Sequence, residues 1–191
     1  SYFEDLSIKK NNFFTDISNY ISYELGQPTH CYDLEKLGSK LVLERQKKSS
    51  SFLTLTDKEI QLLETELVFT DGKEVINFAG IMGGKSTECG NETKKVLIEC
   101  AFFKPESIIG KSTKYDLESD AAYKFERGVD PLSIEHSLRR FIKIVEDHTT
   151  ISKLAICQKE YLENNEREID NDKTKVEEIL GITIDEMLYQ N

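Results

Sequence analysis

The stretch LVFTDGKEVINFAGIMGG, residues 67–84, decides the fold class. It carries two short apolar runs, Leu67–Phe69 and Val75–Phe78, with Asp71-Gly72 between them. Asp-Gly readily takes the left-handed backbone of a tight antiparallel connection, so the stretch predicts a β-hairpin. Upstream, Leu41/Leu43, Phe52/Leu53/Leu55 and Ile60/Leu62 repeat the period-two texture, punctuated by Ser49–Ser51 and Asp57-Lys58. Residues 40–79 therefore read as a β-rich segment of short strands. Downstream, Ala79–Gly90 (AGIMGGKSTECG) is glycine-rich, and Lys95–Phe103 (KVLIECAFF) reads as a strand buried on at least one face.

The flanks read as helices. Ile17, Tyr20, Ile21 and Leu25 fall at helical spacing over Asp16–Leu25, with Asp16 as cap and Gly26 as stop. Gln27-Pro28 forces an extended exit, and Asp33–Leu37 suits one more helical turn before Gly38. Pro105–Lys114 reads as a helix with Pro105 at its first position. Ser119–Arg127 reads as a helix capped by Ser119 or Asp120 and ended by Gly128. Pro131–His148 is the longest, with Leu132, Leu138, Ile142 and Val145 along one face. A final strand is expected over Lys153–Tyr161. The prediction is an α+β fold, β-sheet layers packed with helices, complete within residues 1–162. Residues 163–191 read as a polar linker and the helical run Lys173–Leu180, ended by Gly181. That run is too short to bury a core alone and suits the truncated start of a second domain.

The chain has 191 residues, enough for one domain to bury roughly 70% of its unfolded surface without metal or disulfides. Lys and Arg total 25 against 35 Asp and Glu, a net charge of −10. Such a field repels polyphosphate and argues against a general nucleic-acid-coating protein, while leaving room for a local RNA contact. No run of about 18 apolar residues suggests a membrane span, and Ser1–Lys10 lacks the apolar core of an export signal. The four cysteines, Cys31, Cys89, Cys100 and Cys157, form no CxxC pair and fit no zinc spacing. They read as reduced structural thiols. His30, His136 and His148 are unclustered, and no metal site is expected.

Four segments could carry chemistry. GQPTHCYDLEKL, Gly26–Leu37, follows a helix stop, where loops present side chains. There His30 either orients a substrate or water or is a satisfied structural histidine. No Asp or Glu stands at an obvious spacing to tune it as a base. GIMGG, Gly80–Gly84, is not a phosphate loop, because its first glycine is one residue too near Gly84-Lys85 for the GxxxxGK[ST] spacing. Its glycines either let backbone approach a ligand or form a tight turn. Glu99, inside an apolar strand, is costly unless it meets solvent or a partner. It is either an outward-facing residue or an acceptor at the base of a pocket. SDAAYKFERGVDP, Ser119–Pro131, reads as a salt-bridged exposed helix whose small residues permit close approach.

Taken in order, DISNYISYELGQPTHCYDLEKL, LVFTDGKEVINFAGIMGG, ETKKVLIECAFF and SDAAYKFERGVDP resemble the B3/B4 editing domain of the bacterial-type phenylalanyl-tRNA synthetase β subunit. The likeness spans about residues 8–150, and REIDNDKTKVEEILGITID resembles the opening of the following B5 domain. It departs at Ser119, where the family usually has threonine, at Thr29, where it has methionine, and at Lys9-Lys10, where an Arg-Pro pair is common.

The resemblance implies a proofreading hydrolase that removes tyrosine mistakenly joined to tRNA(Phe). The alternative is a non-catalytic structural or RNA-binding module of the same subunit. The resemblance places catalytic positions at His30, Asn19 and Ser119, and substrate-binding positions at Glu99, Gly80, Gly83 and Ala121. It implies as partners the tRNA(Phe) 3′ end, the α subunit and the rest of the β subunit in an α2β2 assembly, and a cytoplasmic location. No cofactor is implied for this piece, ATP and Mg2+ belonging to the synthetic site of the α subunit. Glu99 would accept the tyrosine hydroxyl, and such a site can reject the analogue lacking it by up to about 10⁴–10⁵.

Overall fold

A computed structural model of the chain describes Asp5, residues 9–159 and residues 172–189. Chain contacts divide it into two units, Ser1–Ser152 and Lys153–Asn191.

The first unit opens with helix α1, Phe13–Leu25. It starts three residues before the expected Asp16, because Asn12 caps it by accepting the Thr15 amide at 3.1 Å. Asp16 instead sits in the first turn, where it accepts the Asn11 amide and favours the positive helix end. Gly26, at φ +71, ends the helix.

The chain then enters strand β1, Thr29–Asp33, and not a loop. Strand β1 pairs antiparallel with β8, Val96–Cys100, the core of the predicted KVLIECAFF strand. Between them lie β2 (Val42–Arg45), β3 (Ser50–Leu53), β4 (Glu59–Leu62), β5 (Leu67–Thr70), β6 (Val75–Phe78) and the two-residue β7 (Met82–Gly83). They build a four-stranded sheet in the order β2-β5-β6-β7 and a two-stranded sheet β3-β4. The β5–β6 hairpin turns where Asp-Gly predicted. Gly72 takes φ +91, and Asp71 Oδ1 accepts the Lys73 and Glu74 amides. Asp33–Leu37 makes a single turn closed by the Asp33 carbonyl.

The predicted Pro105–Lys114 helix is broken. Pro105–Ser107 is one 3₁₀ turn, and α2 spans only Lys111–Tyr115. Gly110, at φ +75, separates them, a conformation a continuous helix does not contain. Helix α3, Asp120–Arg127, is capped by Ser119 and ended by Gly128. Helix α4 spans Ser133–His148, two residues shorter at its start than read from sequence.

Two apolar clusters hold this unit. One gathers Tyr32, Leu62, Val68, Ile76, Phe78, Ile81, Phe103 and Phe125 among the sheets, α3 and the Pro105 turn. The other packs Ile17 and Ile21 of α1 against Phe141 and Val145 of α4, with Cys31 and Cys89. Glu66 is buried beside the first cluster and accepts from Lys111, Lys114 and Tyr115. All four cysteines are free.

In the second unit no strand forms over Lys153–Lys159. The remainder of that expected strand, Glu160 and Tyr161, and the expected linker up to Asn171 lie outside the described residues. Helix α5, Lys173–Leu180, is capped by Asp172 and stopped by Gly181 at φ +68, as its sequence predicts. A short helix α6, Glu186–Tyr189, follows, and Lys173 bridges to Glu186 at 2.9 Å.

Candidate functional site

The β1–β8 pairing builds the site. Its register sets His30 opposite Glu99. Side chains two apart on a strand share a face, so His30 and Tyr32 point the same way, their rings edge to face at 4.5 Å. Tyr32 is fully buried and donates its hydroxyl to Glu99 Oε2 at 2.6 Å. From β6, Asn77 Nδ2 donates to the Tyr32 oxygen at 2.8 Å. The strand reading of His30–Tyr32 replaces the exposed loop expected from sequence.

A cleft of about 60 Å³ opens beside this cluster. His30, Gly80, Gly83, Glu99 and Ala121 all line it, so five of the seven predicted site residues converge. Pro28, Thr29, Asn77 and Phe125 complete its walls with Ile81 and Met82. Asn19, on α1, is not among the lining residues, and neither is Ser119. Ser119 holds the cleft from behind. Its hydroxyl donates to the Ile81 carbonyl at 2.6 Å and accepts the Ala122 amide at 3.0 Å. It also faces an open groove of about 440 Å³ shared with Ser112, Asp120, Tyr123 and Glu126.

The two glycines differ. A Cβ on Gly83 would lie 2.3 Å from His30 Cε1 and 2.8 Å from Leu55 Cδ1, so the absent side chain leaves room for the imidazole. Gly80 takes φ +71, and its Cβ would meet Ile108 and Phe103 of the core at 2.8 and 2.9 Å. Gly80 is thus required by its turn and its packing, while it also lines the cleft.

Burial dominates the electrostatics. It pushes the Glu99 carboxyl up to about 7, against the Tyr32 hydrogen bond, which favours the ionised form. It pushes His30 down to about 4, so the imidazole is neutral at physiological pH. His30 Nε2 is buried with no hydrogen-bond partner among the described residues. Glu99 Oε1 likewise has no donor there, since Tyr32 and Asn77 both approach Oε2. The cleft thus offers one carboxyl oxygen as acceptor and one neutral imidazole nitrogen that accepts or donates according to its tautomer. Among the described residues, no three His, Cys, Asp or Glu side chains gather as metal ligands. No described helix is long and apolar enough to cross a membrane.

Sequence reading missed Tyr32 and Asn77. The signal for Tyr32 was its two-residue spacing from His30. For Asn77 it was the lone polar side chain in the apolar run VINF, the argument already applied to Glu99.

Sheets and helices in this arrangement define the B3/4 domain, whose family pattern matches residues 3–150, and the chain belongs to that family. It is similar to phenylalanine–tRNA ligase beta subunits. It is 40% identical over 139 residues to that of Leifsonia xyli, covering 73% of this chain and 16% of the relative. It is 38% identical over 142 residues to that of Geobacillus kaustophilus, covering 74% and 18%. It is 37% identical over 132 residues to that of Photorhabdus laumondii, covering 69% and 17%. The matched segment thus spans less than a fifth of each of these curated relatives.

Proposed function

We propose that this domain hydrolyses the ester of tyrosine mistakenly joined to tRNA(Phe), as the proofreading part of a phenylalanyl-tRNA synthetase β subunit. One observation carries the reading. His30 and Glu99, opposite each other on paired strands, line one cleft, and among the described residues His30 Nε2 is buried without a partner while the donors to Glu99 approach only Oε2. A phenylalanyl side chain would leave the Glu99 oxygen unpaired, whereas a tyrosyl hydroxyl would satisfy it.

In this scheme Glu99 accepts the phenol. Gly83 gives His30 its space, Gly80 turns the backbone that lines the cleft, and Ala121 keeps the wall low enough for the aminoacyl group. His30 Nε2 accepts from the attacking water or a ribose hydroxyl and thereby orients it. Ser119 fixes the Gly80–Gly83 turn through Ile81, and its groove leads the terminal adenosine toward the cleft. Asn19 contributes from α1 to holding that adenosine. No nucleophilic triad is present among the described residues, so water attacks the ester carbon. The alcohol oxygen of the ribose leaves with the proton that water loses.

The partners in this reading are the tRNA(Phe) 3′ end, the α subunit and the rest of the β subunit in an α2β2 assembly in the cytoplasm. ATP and Mg2+ serve the synthetic site of the α subunit. The test is deacylation of Tyr-tRNA(Phe) by the intact synthetase. Loss of tyrosine faster than the uncatalysed rate supports editing. An uncatalysed rate, with aminoacylation intact, assigns the domain to a structural or RNA-binding role.

A further inference from the structure

Glu99 does not stand alone in its cleft, because a phenol of the protein's own already binds it. The Tyr32 hydroxyl reaches Oε2 at 2.6 Å, the length of a charge-assisted O–H···O⁻ bond. Asn77 donates to the Tyr32 oxygen at 2.8 Å from the neighbouring sheet. With a donor on its oxygen, the Tyr32 hydroxyl directs its single hydrogen to the carboxylate. Tyr32 is fully buried and Asn77 nearly so, and neither bond is needed to complete a strand ladder.

We infer that Tyr32 and Asn77 are positioning residues for substrate discrimination: the Tyr32 hydroxyl holds one Glu99 oxygen and leaves the other to read the substrate's phenol, and Asn77 aims that hydroxyl. The inference rests on the proposed reading of Glu99. Its physical content is that the clamp favours the ionised carboxyl and keeps it correctly turned inside an apolar wall. An ionised, acceptor-only Glu99 penalises a phenylalanyl group by leaving a charged oxygen unpaired. A protonated Glu99 does so far less, because it is neutral.

The groups facing Glu99 leave Tyr32 as the one that favours its charge. From β1 these are His30, held neutral by burial, and Tyr32. The neighbouring thiols of Cys31 and Cys100 lie on the opposite face, bonded toward Phe14 and Ile134. The remaining nearby cleft walls, Asn77, Ala121 and Phe125, do not titrate. Burial drives the carboxyl upward and Tyr32 opposes it, leaving it at about 7.

The experiment uses Y32F, which deletes one oxygen from a buried ring, N77L, which acts through the same hydroxyl, and E99Q. The pH dependence of Tyr-tRNA(Phe) over Phe-tRNA(Phe) deacylation is measured in the intact synthetase, after subtracting the uncatalysed rates. Glu99 ionisation is followed separately by carboxyl-carbon NMR of the chain, with E99Q to assign the signal. We expect Y32F to raise the Glu99 midpoint by about one pH unit, a tenfold change in its ionisation constant. Selectivity should then fall about fivefold at pH 7, as the ionised fraction drops from about one half to about one tenth, and recover at higher pH, with N77L shifting both readouts the same way by less. Y32F and N77L leaving midpoint and selectivity unchanged, while E99Q abolishes selectivity, would overturn the inference and leave the Glu99 reading standing. E99Q keeping wild-type selectivity would overturn both.

Discussion

His30 and Glu99 face each other across the β1–β8 ladder, and burial drives them toward neutrality from opposite sides. The histidine falls to about 4 and the carboxyl rises to about 7. No hydrogen bond joins them, as Glu99 is engaged by Tyr32 instead. The pair is therefore two separate polar groups and not an acid–base couple.

Under the proposed reading, that separation sets the pH profile of hydrolysis. A general base works best with a pKa near the operating pH, and His30 lies well below it. We expect His30→Ala to lower Tyr-tRNA(Phe) deacylation on the order of 10²-fold by misplacing the water. The profile should keep its shape between pH 6 and 8.5. A wild-type step near pH 6.5 that His30→Ala removes would restore the general-base role.

The same two groups make opposite contributions to stability. Glu99 has its folded pKa raised from 4.5 to about 7, so its contribution is full below 4.5 and lost as pH rises through 7. His30 has its folded pKa lowered from 6.5 to about 4, so its contribution is full above 6.5 and lost as pH falls through 4. Thermal melts of the chain from pH 4 to 8 should show it. The Tm of E99Q should rise relative to wild type with increasing pH, and that of H30Q should fall. Parallel curves for the three proteins would mean that neither group is buried as described.

Gly83 and Ser119 should separate positioning from folding. In Gly83→Ala the new methyl displaces the His30 ring, at an overpacking cost of about 1–3 kcal/mol, and editing should be lost in a folded protein. Ser119→Ala removes a helix cap and the Ile81 tie, costing about 1 kcal/mol or a Tm loss of roughly 2–4 °C. Ser119→Thr keeps the hydroxyl and should restore both stability and rate. A Ser119→Thr variant as slow as Ser119→Ala would show that the hydroxyl is not what matters.

Glu66 supplies a control away from the cleft. Its burial raises the carboxyl, but Lys111, Lys114 and Tyr115 prevail and hold it below the usual carboxylate range. Glu66→Ala removes a buried acceptor from donors that can partly turn to solvent and should cost about 1.5–3 kcal/mol. Measured well below its Tm, it should keep wild-type Tyr/Phe selectivity, and altered selectivity would connect this cluster to the site.

The sequence reveals elements whose determinants are local. Asp71-Gly72 marks the hairpin, Ser119 and Gly128 bracket α3, and Gly181 stops α5, each by backbone chemistry confined to a few residues. Strand β1 escapes because GQPTHCYD is polar and its partner lies some seventy residues away, so only tertiary pairing reveals it. The same pairing, invisible to sequence spacing, sets Glu99 opposite His30. The Pro105 helix fails for the converse reason: Gly110 lies inside an otherwise helical run and takes a left-handed turn. Glu99 is legible as a carboxylate in an apolar strand, whereas its partners need the fold, since Tyr32 and Asn77 come from strands in two different sheets.

The most direct test of the central claim is the ratio of Tyr-tRNA(Phe) to Phe-tRNA(Phe) deacylation rates in the intact synthetase at pH 8, for wild type and Glu99→Ala. Loss of a charge-assisted bond worth about 1.5–3 kcal/mol predicts a ratio lowered by roughly 10- to 100-fold, with the domain still folded by circular dichroism. A Glu99→Ala ratio equal to that of wild type would contradict the assignment of Glu99 as the reader of the tyrosine hydroxyl.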